Sequence, residues 1–344
     1  MGLPLRALVT AQELPWEALA GRTLAVDGFN AVYQFLATIR QRDGQLFSDA
    51  EGRVTSHLMG TFYRTTSLLE QGVLPVWVFD GKPPERKAGT IRQRIEAKER
   101  AEEAWQQALA VGDLETARRK AAQTSRLTPP MVEELHALLR GLGVPVVQAP
   151  GEGEAQAAAL AARGATWATA SEDYDSLLFG APRLVRGLAA RPRAGSAAGA
   201  QLIDRADLLA NLGIDGDELI ALGIVVGTDF NDGAAGYGPK KALKLVREHL
   251  GFERTIEKAG LDLEESRAVA AIFRTPNVGE PGSLAFGPVD EVGLRRLLVE
   301  THGFSEARFR AAVARARSRP PPTTSPQEAR GHQTLLETFG GGSG

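Results

Sequence analysis

The sequence predicts an α/β fold in which helices flank a mostly parallel central sheet. Short apolar, β-prone runs alternate along the chain with segments of helical periodicity, the order of elements found in parallel, helix-covered sheets. Three of these runs lead directly into aspartates, at Asp27, at Asp80 and at Asp173. Because such sheets bind their ligands beyond the carboxyl ends of the strands, these aspartates are predicted to share one edge.

The first part of the chain supplies two of these junctions between a strand and an acid. The run "RTLAVDGFN" is apolar up to Asp27 and passes through Gly28 into the amphipathic stretch "AVYQFLATIRQ". The run "VLPVWVFDGKPPE" follows the same plan, since Gly81 comes directly after Asp80 and two prolines follow Lys82. Each aspartate is therefore predicted to stand at the end of a strand.

Two further junctions are predicted in the centre of the chain. The run "GVPVVQAP" predicts a strand, and Glu152 and Glu154 follow it where a helix should begin. Residues two apart point to nearly opposite sides of a regular helix, so these glutamates share a target only if Glu152 precedes the first turn. The run "GATWATASEDYDSLLFG" leads into Asp173 and Asp175, which lie on one face if the backbone there is extended.

One more acid, Asp229, occupies the turn after an apolar helix that is expected to end at Gly227. Taken singly, an Asp before Gly is usually a turn residue, and a Glu in a first helical turn usually complements the helix dipole. The full set of candidate metal ligands is Asp27, Asp80, Glu152, Glu154, Asp173, Asp175 and Asp229.

If these acids cluster, the repulsion between their negative charges must be offset. Two like charges about 4 Å apart repel by about 4 kcal/mol at an effective dielectric of about 20, so the cluster would protonate or recruit cations. Oxygen-only ligands select hard ions, Mg²⁺ or Mn²⁺. A pair of such ions suits in-line displacement at phosphodiesters.

The composition narrows the classes of protein that the chain can represent. Its 344 residues, 43% hydrophobic and 24% charged, suit a soluble globular protein of one large domain or two smaller ones. No apolar run is long enough for a membrane span and no signal-peptide pattern begins the chain, so a cytoplasmic location is expected. Without cysteine, thiolate metal sites are excluded. The net charge of −2 does not by itself indicate a nucleic-acid-binding protein.

Two segments nevertheless concentrate positive charge. Residues 82–126 hold eleven Lys or Arg and seven Asp or Glu, and they are predicted to be long polar helices with breaks at Gly89 and at "VGD". Such a run is most often a solvated face. The alternative is an electropositive arch over the acids, in which Lys87 and Arg94 contact the scissile phosphate.

The second segment, "GAAGYGPKKALKLVREHLG", places a tight glycine turn before a helix. Gly-x-Gly before a helix is commonly just a turn. Here the exposed backbone N–H groups and the adjoining lysines also suit a DNA phosphate, bound without regard to sequence. The candidate DNA-binding residues are Gly236, Gly238, Lys240, Lys241 and Lys244.

With these residues in place, the chain resembles the flap endonucleases, especially the archaeal branch of that family within the XPG group of structure-specific 5′ nucleases. The resemblance runs from residue 1 to about residue 250, with weaker similarity beyond. The family's metal-binding acids fall on all seven candidate carboxylates. The matching stretches are "AVDGFNAVYQFLATIRQ", "TSHLMGTFYRT", "VWVFDGKPPE", "APGEGEAQAA", "ASEDYDSLLFGAPRLVR" and "VGTDFNDGAAGYGPKKAL".

The resemblance implies a divalent-metal-dependent DNA endonuclease with 5′-3′ exonuclease activity, which cuts near the base of 5′ flaps in replication and repair. It implies a PIN-like 5′ nuclease fold with two Mg²⁺ ions, for which Mn²⁺ can substitute. It also implies a helical arch over about residues 82–126 and a helix-two-turns-helix DNA-binding element over about residues 217–250.

Three residues outside the acid set gain a role from the resemblance. Lys87 and Arg94 resemble the basic pair that steers the scissile phosphate, and Tyr33 resembles the aromatic that stacks on the base beside it. From spacing alone, Tyr33 lies with Phe29 and Leu36 on a helix, which instead favours core packing.

The expected organisation is a single nuclease domain over residues 1–317, with an N-terminal region (about 1–100) and an internal region (about 127–260), and a disordered tail over 318–344. The tail contains "QTLLETF", which resembles the family's motif for binding the sliding clamp (PCNA), with Gln333, Leu336 and Phe339 in place. Gly340 replaces a second aromatic, which weakens the expected binding. The expected partners are flapped or branched DNA and the clamp. The protein is expected to be a monomer and, if archaeal, to associate with the nucleoid.

Two alternatives are open at this point. Another XPG-group nuclease, such as a repair exonuclease or a junction resolvase, would share all seven acids, although the short arch segment and the clamp-like tail favour a flap enzyme. A catalytically silent DNA-binding scaffold would use the acids to hold structural ions. The scaffold alternative predicts binding without turnover.

Overall fold

A seven-stranded mixed sheet organises the computed structural model, which describes residues 5–82, 88–188, 200–249 and 251–319. Along the chain the strands are β1 Gln12–Leu14, β2 Thr23–Asp27, β3 Leu74–Phe79, β4 Val146–Gln148, β5 Ala168–Ala170, β6 Arg183–Arg186 and β7 Ala200–Asp204. In space their order is β1, β7, β6, β5, β2, β3 and β4.

The middle of this sheet is parallel. Strands β6, β5, β2, β3 and β4 run in one direction. At the β6 side, β7 is antiparallel to β6, and β1 is antiparallel to β7. The register pairs Asp27 with Val78, and Phe79 with Gln148. The strand ends that carry the candidate acids are therefore neighbours, and the predicted mostly parallel sheet is confirmed.

Helices cover both faces of the sheet. Those of the N-terminal part are α1 Gly28–Thr38, α2 Ser56–Glu70, α3 Ala88–Ala110, α4 Leu114–Ala121, α5 Pro129–Gly141 and α6 Gly153–Ala162. Those that follow are α7 Asp175–Leu178, α8 Arg205–Leu212, α9 Gly216–Val226, α10 Pro239–Val246, α11 Phe252–Lys258, α12 Leu263–Arg274, α13 Glu291–Arg295 and α14 Glu306–Arg317. Short 3₁₀ turns span Leu5–Ala7 and Trp16–Leu19, and a π turn spans Arg296–Thr301.

The largest hydrophobic core lies between the sheet and α1, α2, α5 and α14. Phe62, Trp77 and Phe309 are fully buried in it. On the other face, Leu160 of α6 packs with valines of β3 and β4. Strand β3 is buried along its whole length, which explains why its sequence is continuously apolar rather than alternating. Helices on both faces therefore hold the strand ends in place.

A second core joins the helices that follow the sheet. It contains Leu177 of α7, Leu219 and Ile224 of α9, Leu243 of α10 and Phe273 of α12. This core packs α10 against α9 and α9 against α7. Helix α7 begins near the edge of the sheet here called the acid edge, the carboxyl ends of β2, β3, β4 and β5, at which lie Asp27, Asp80, Glu152, Glu154 and Asp173. No helix of the described ranges combines the length and apolarity of a membrane span.

Helices α3 and α4 form a hairpin within the segment predicted to be an arch. The turn at Gly112 separates them and Asp113 caps α4, which confirms the predicted break at "VGD". The break predicted at Gly89 is wrong, because Gly89 lies within α3. The indole Nε1 of Trp105 donates to the carbonyl of Asp43 at 3.0 Å, and the backbone of Gly44 lies close to Ala121. The hairpin is thereby attached to the loop between α1 and α2.

Candidate active site

The candidate acids follow adjacent strand ends at one edge of the sheet. Asp27 ends β2, Asp80 follows β3, and Asp173 follows β5. Glu152 and Glu154 follow β4, where Glu152 is the N-cap of α6 with an extended backbone and Glu154 lies in its first turn. The condition that Glu152 must precede the helix is therefore met.

Asp27 and Asp173 are linked through Asn30. The backbone N–H of Asn30 donates to Asp27 Oδ1 at 3.0 Å, which caps α1. The side-chain Nδ2 of Asn30 donates to Asp173 Oδ2 at 2.8 Å. One residue of α1 thus holds carboxylates from two different strand ends.

Ser171 makes a second link between strand ends. Its Oγ lies 3.3 Å from Asp27 Oδ2 and 3.2 Å from Glu154 Oε1, and the backbone N–H of Asp173 donates to it at 3.2 Å. A hydroxyl has one proton, so it donates to one of the two carboxylates at a time. The carboxylates of Asp27 and Glu154 therefore lie within hydrogen-bond distance of the same hydroxyl group.

Asp80 is held by the start of α6. The backbone N–H of Gly153 donates to Asp80 Oδ1 at 2.5 Å. A Cβ atom at position 153 would stand 2.5 Å from the same oxygen, so only glycine allows this approach. Position 81 has the same requirement, because a Cβ there would meet the carbonyl oxygen of Ala149 at 2.2 Å. These glycines let the ends of β3 and β4 lie close together.

The remaining two acids lie on the side of the second core. Asp175 is buried at the start of α7. The extended backbone assumed for Asp173 and Asp175 is wrong, because Tyr174 between them is helical and Asp175 begins a helix. Asp229 is half-buried in the turn after α9. Helix α9 is capped by Gly227, where its end was predicted, and it packs against α7.

The electrostatics of the edge favour a cation. Burial, together with the charges of Asp80 and Asp173, raises the pKa of Asp27 to about 8, against the opposing hydrogen bonds from Asn30 and Ser171. The raised pKa means that ionising all of these acids is unfavourable without a positive charge nearby. A divalent ion bound to carboxylate oxygens would supply that charge, so the donor set fits Mg²⁺ or Mn²⁺.

The acids form a loose cluster and not a closed ligand shell. Among the described residues, no three His, Asp or Glu side chains are arranged as a ready metal-binding group. A cleft of about 380 Å³ lies beside Glu152, between Lys82 and the C-terminal part of α12. This cleft offers space for an ion or a substrate next to Glu152.

Tyr33 lies one turn beyond Asn30 on α1. Its side chain is 38% exposed, whereas Val32, Phe35 and Leu36 form the buried face of the helix. Core packing, the alternative favoured by spacing alone, is therefore wrong for Tyr33. The ammonium of Lys98 on α3 lies 4.7 Å from the centre of its ring, so the aromatic faces the helical hairpin.

Of the two basic residues expected at the scissile phosphate, only one lies in the described part of the chain. Lys87 lies outside the described residues, and Arg94 belongs to α3. The clamp-binding candidates Gln333, Leu336 and Phe339 also lie outside the described residues. Their roles stay predictions.

The glycine turn and its lysines form a separate exposed surface, here called the lysine turn (residues 236–244). Gly236 has a positive φ of 76°, and Gly238 caps α10, which begins at Pro239. Lys241 donates to the carbonyl of Gly236 at 3.3 Å, and its ammonium lies 4.1 Å from the centre of the Tyr237 ring. Lys240 and Lys244 are exposed on the same helix. The lysine turn therefore presents charge to solvent.

Sequence reasoning missed Asn30 and Ser171. Both are polar residues next to predicted acids, Asn30 three positions after Asp27 and Ser171 two before Asp173. That adjacency was the only signal, because their partners are 143 and 144 residues away in the chain.

Comparison with known proteins adds a family context to this geometry. The XPG N-terminal domain model matches residues 5–101, and the XPG I-region model matches residues 143–229. Flap endonuclease 1 of Aeropyrum pernix is 45% identical over 92% of this chain and 94% of its own length. Flap endonuclease 1 of Pyrococcus furiosus is 44% identical with the same two coverages.

Solved structures agree with these sequence matches. Flap endonuclease-1 from Methanococcus jannaschii superposes with a TM-score of 0.75 at 39% identity, covering 92% of this chain and 98% of that one. The catalytic core of Rad2 in complex with DNA substrate matches with a TM-score of 0.72 at 23% identity, over 92% of this chain and 100% of that one. Human GEN1 in complex with Holliday junction DNA matches with a TM-score of 0.68 at 22% identity, over 92% of this chain and 77% of that one. The last two likenesses concern the fold alone.

Proposed function

Because the chain belongs to the flap endonuclease family it is a structure-specific 5′ flap endonuclease, and we propose that the acid edge holds the divalent metal of its reaction. The ligands would be Asp27, Asp80, Glu152, Glu154, Asp173, Asp175 and Asp229, some of them through water. Two Mg²⁺ ions would suit this number of carboxylates, with Mn²⁺ as a substitute.

One observation supports this assignment above the others. Carboxylates from adjacent strand ends converge on Asp27, and their charges and its burial raise the pKa of Asp27 to about 8. A fold that served only structural purposes would gain nothing from burying like charges together. The arrangement is useful when a cation joins the acids during function.

Bound metal would polarise the scissile phosphate and lower the pKa of the attacking water. The residues of this chain set the geometry around it. Asn30 and Ser171 hold Asp27, Glu154 and Asp173 at fixed positions, and Gly153 holds Asp80. In this proposal, Tyr33 stacks on the base next to the scissile phosphate.

Positive charge gathers the DNA in this proposal. Lys87 and Arg94 would steer the scissile phosphate from the arch side. The lysine turn would bind the phosphates of the duplex through Gly236, Gly238, Lys240, Lys241 and Lys244. Since the lysine turn is exposed and its contacts are local, it would bind without regard to sequence.

Further proposals concern the whole protein. Residues 1–317 would form one nuclease domain, and the peptide with Gln333, Leu336 and Phe339 would bind a sliding clamp weakly, because Gly340 lacks an aromatic ring. The protein would act as a monomer in the cytoplasm, at the nucleoid if the source is archaeal.

A panel of labelled DNAs tests the substrate preference. Double-flap, nicked and four-way DNA would be incubated side by side, each with Mg²⁺ and with EDTA. We expect cutting near the base of the 5′ flap, at least about 10-fold faster than on the other two substrates, and none in EDTA. Preferential cutting of the four-way DNA would indicate a junction resolvase. Binding of all three without cutting in Mg²⁺ or Mn²⁺ would indicate a scaffold.

A further inference from the structure

Asn30 occupies an unusual place between the chain segments that carry the acids. It lies in the first turn of α1, three residues after Asp27, and its side chain reaches the loop that follows β5. Its Nδ2 donates to Asp173 Oδ2 at 2.8 Å, and its Oδ1 accepts from the backbone N–H of Glu172 at 3.3 Å. The amide therefore contacts two consecutive residues of that loop.

The orientation of this amide is determined by its neighbours. The backbone N–H of Glu172 can only donate, so it requires the oxygen of the Asn30 side chain. Gln34, one turn further on α1, donates its Nε2 to the same oxygen at 2.8 Å. The NH₂ group must then face Asp173, where only a donor satisfies a carboxylate.

The backbone of Asn30 completes the arrangement. Its N–H donates to Asp27 Oδ1 at 3.0 Å, so one residue holds Asp27 through the main chain and Asp173 through the side chain. Asn30 therefore links these two acids through its own atoms, beside the link that Ser171 makes. A rigid spacing matters because divalent ions demand particular ligand positions.

A neutral hydrogen-bond donor is suited to orienting the Asp173 carboxylate. A lysine or arginine at position 30 would neutralise Asp173 and compete with a bound cation for it. The amide of Asn30 orients the carboxylate and leaves the negative charge of the cluster intact. Hydrogen-bond partners that orient metal ligands in this way contribute about 10- to 100-fold to metal affinity or activity.

We propose that Asn30 is a positioning residue of the active site, which sets the orientation of Asp173 and its spacing from Asp27 for divalent-ion binding. The inference rests on the proposed function, in which Asp173 is a metal ligand. Asn30 acts through Asp173 and does not contact the ion. Removing its side chain therefore matters only while the Asp173 carboxylate is present.

The test is a Mn²⁺ titration of the full chain by calorimetry, without DNA and without turnover. Four proteins form a double-mutant cycle: wild type, Asn30→Ala, Asp173→Ala and the double variant. We expect Asn30→Ala to weaken Mn²⁺ binding at least about 10-fold in the wild-type background. In the Asp173→Ala background we expect a further change of less than about 2-fold.

Matched controls separate positioning from general loss of structure. Thr38→Ala removes another side-chain hydrogen bond of α1, at the far end of the helix, and should leave Mn²⁺ affinity unchanged. Asn30→Leu keeps the side-chain volume and replaces Asn30→Ala if the alanine variant melts too low to titrate. Affinity for flap DNA in EDTA should be the same for wild type and Asn30→Ala.

The outcomes are distinguishable. If Asp173→Ala weakens Mn²⁺ binding but Asn30→Ala does not, the proposed function stands and the role of Asn30 is refuted. An equal loss from Asn30→Ala in both backgrounds also refutes it, because Asn30 would not act through Asp173. If Asp173→Ala itself leaves Mn²⁺ binding unchanged, the proposed ligand set fails and the inference fails with it.

Discussion

The acid edge and the lysine turn differ in the contacts that hold their charged groups, which are long-range in the acid edge and local in the lysine turn. At the acid edge, contacts join residues that are far apart in the chain, 143 residues for Asn30 and Asp173 and 73 for Gly153 and Asp80. In the lysine turn, Lys241 contacts Gly236 only five residues away, and its neighbouring lysines are exposed. Chemistry at one phosphate needs fixed groups, whereas gathering a polyanion needs only charge density.

This difference predicts where substitutions act. Changes at the acid edge should be large and should lower the rate of the chemical step with little effect on DNA affinity. Changes in the lysine turn should be small and should weaken binding in a salt-dependent way. The following tests run from the largest expected effect to the smallest.

Gly153→Ala should lower the single-turnover cleavage rate of flap DNA about 10²-fold, the cost of displacing a catalytic group by about 1 Å. The added Cβ would stand 2.5 Å from Asp80 Oδ1, so the carboxylate must move. Gly282→Ala is the matched control, because a Cβ there meets nothing within 4 Å. A rate within 2-fold of wild type for Gly153→Ala would show that the position of Asp80 is not critical.

The stability of the metal-free protein should depend on pH through Asp27. Its folded pKa of about 8 lies above the ordinary 3.8, so between these values the native state binds its proton more tightly than the unfolded chain. This contribution to stability is complete below about pH 4 and is lost as the pH rises toward 8.

Thermal melts in EDTA measure this effect. We expect the wild-type melting temperature to fall by more than about 5 °C between pH 5 and pH 8, and the Asp27→Asn variant to lose most of that slope. At pH 8, Mg²⁺ should raise the melting temperature of wild type back toward its value at pH 5. Identical slopes for the two proteins would mean that the acid edge is not the source of the pH dependence.

Tyr33 lies one turn from Asn30 on α1, beside the acid edge, and should have an intermediate effect. Removing its ring in Tyr33→Leu should lower the cleavage rate about 10-fold, since stacking on one base contributes about 1–3 kcal/mol. Tyr33→Phe keeps the ring and should stay within about 2-fold of wild type. Equal losses in both variants would point to the hydroxyl group and not to stacking.

Lys244→Ala should give the smallest effect. Removing one phosphate contact should reduce the slope of log affinity against log salt by about 1, with equal weakening on all DNA sequences. Lys258→Ala is the control, because Lys258 is exposed on the neighbouring helix α11 but paired with Glu248. The same slope for wild type and Lys244→Ala would remove Lys244 from the DNA-binding surface.

The sequence predicted the acid edge well, for a physical reason. Apolar runs that stop at Asp27, Asp80 and Asp173 are local patterns, and the parallel topology brings such strand ends together. The N-cap position of Glu152 was also predictable from the need to share a target with Glu154.

Features that depend on distant contacts were not predictable. The side-chain role of Asn30 exists only because β5 lies beside β2, and the glycine at position 153 is needed only because Asp80 approaches it. The extended backbone assumed between Asp173 and Asp175 was wrong because the chain turns into α7 directly after β5. Tyr33 faces α3 and not the core, a relation that helical spacing does not contain.

The most direct test of the acid edge is cleavage of a labelled double-flap DNA by wild type and Asp173→Ala, in Mg²⁺ and in EDTA, with binding of the same DNA measured in parallel. We expect cutting near the flap base only by wild type in Mg²⁺, at least about 10³-fold faster than by Asp173→Ala, while both proteins bind the DNA. Equal cutting by the two proteins, or binding without cutting by wild type in Mg²⁺ and Mn²⁺, would contradict a catalytic metal site at this edge.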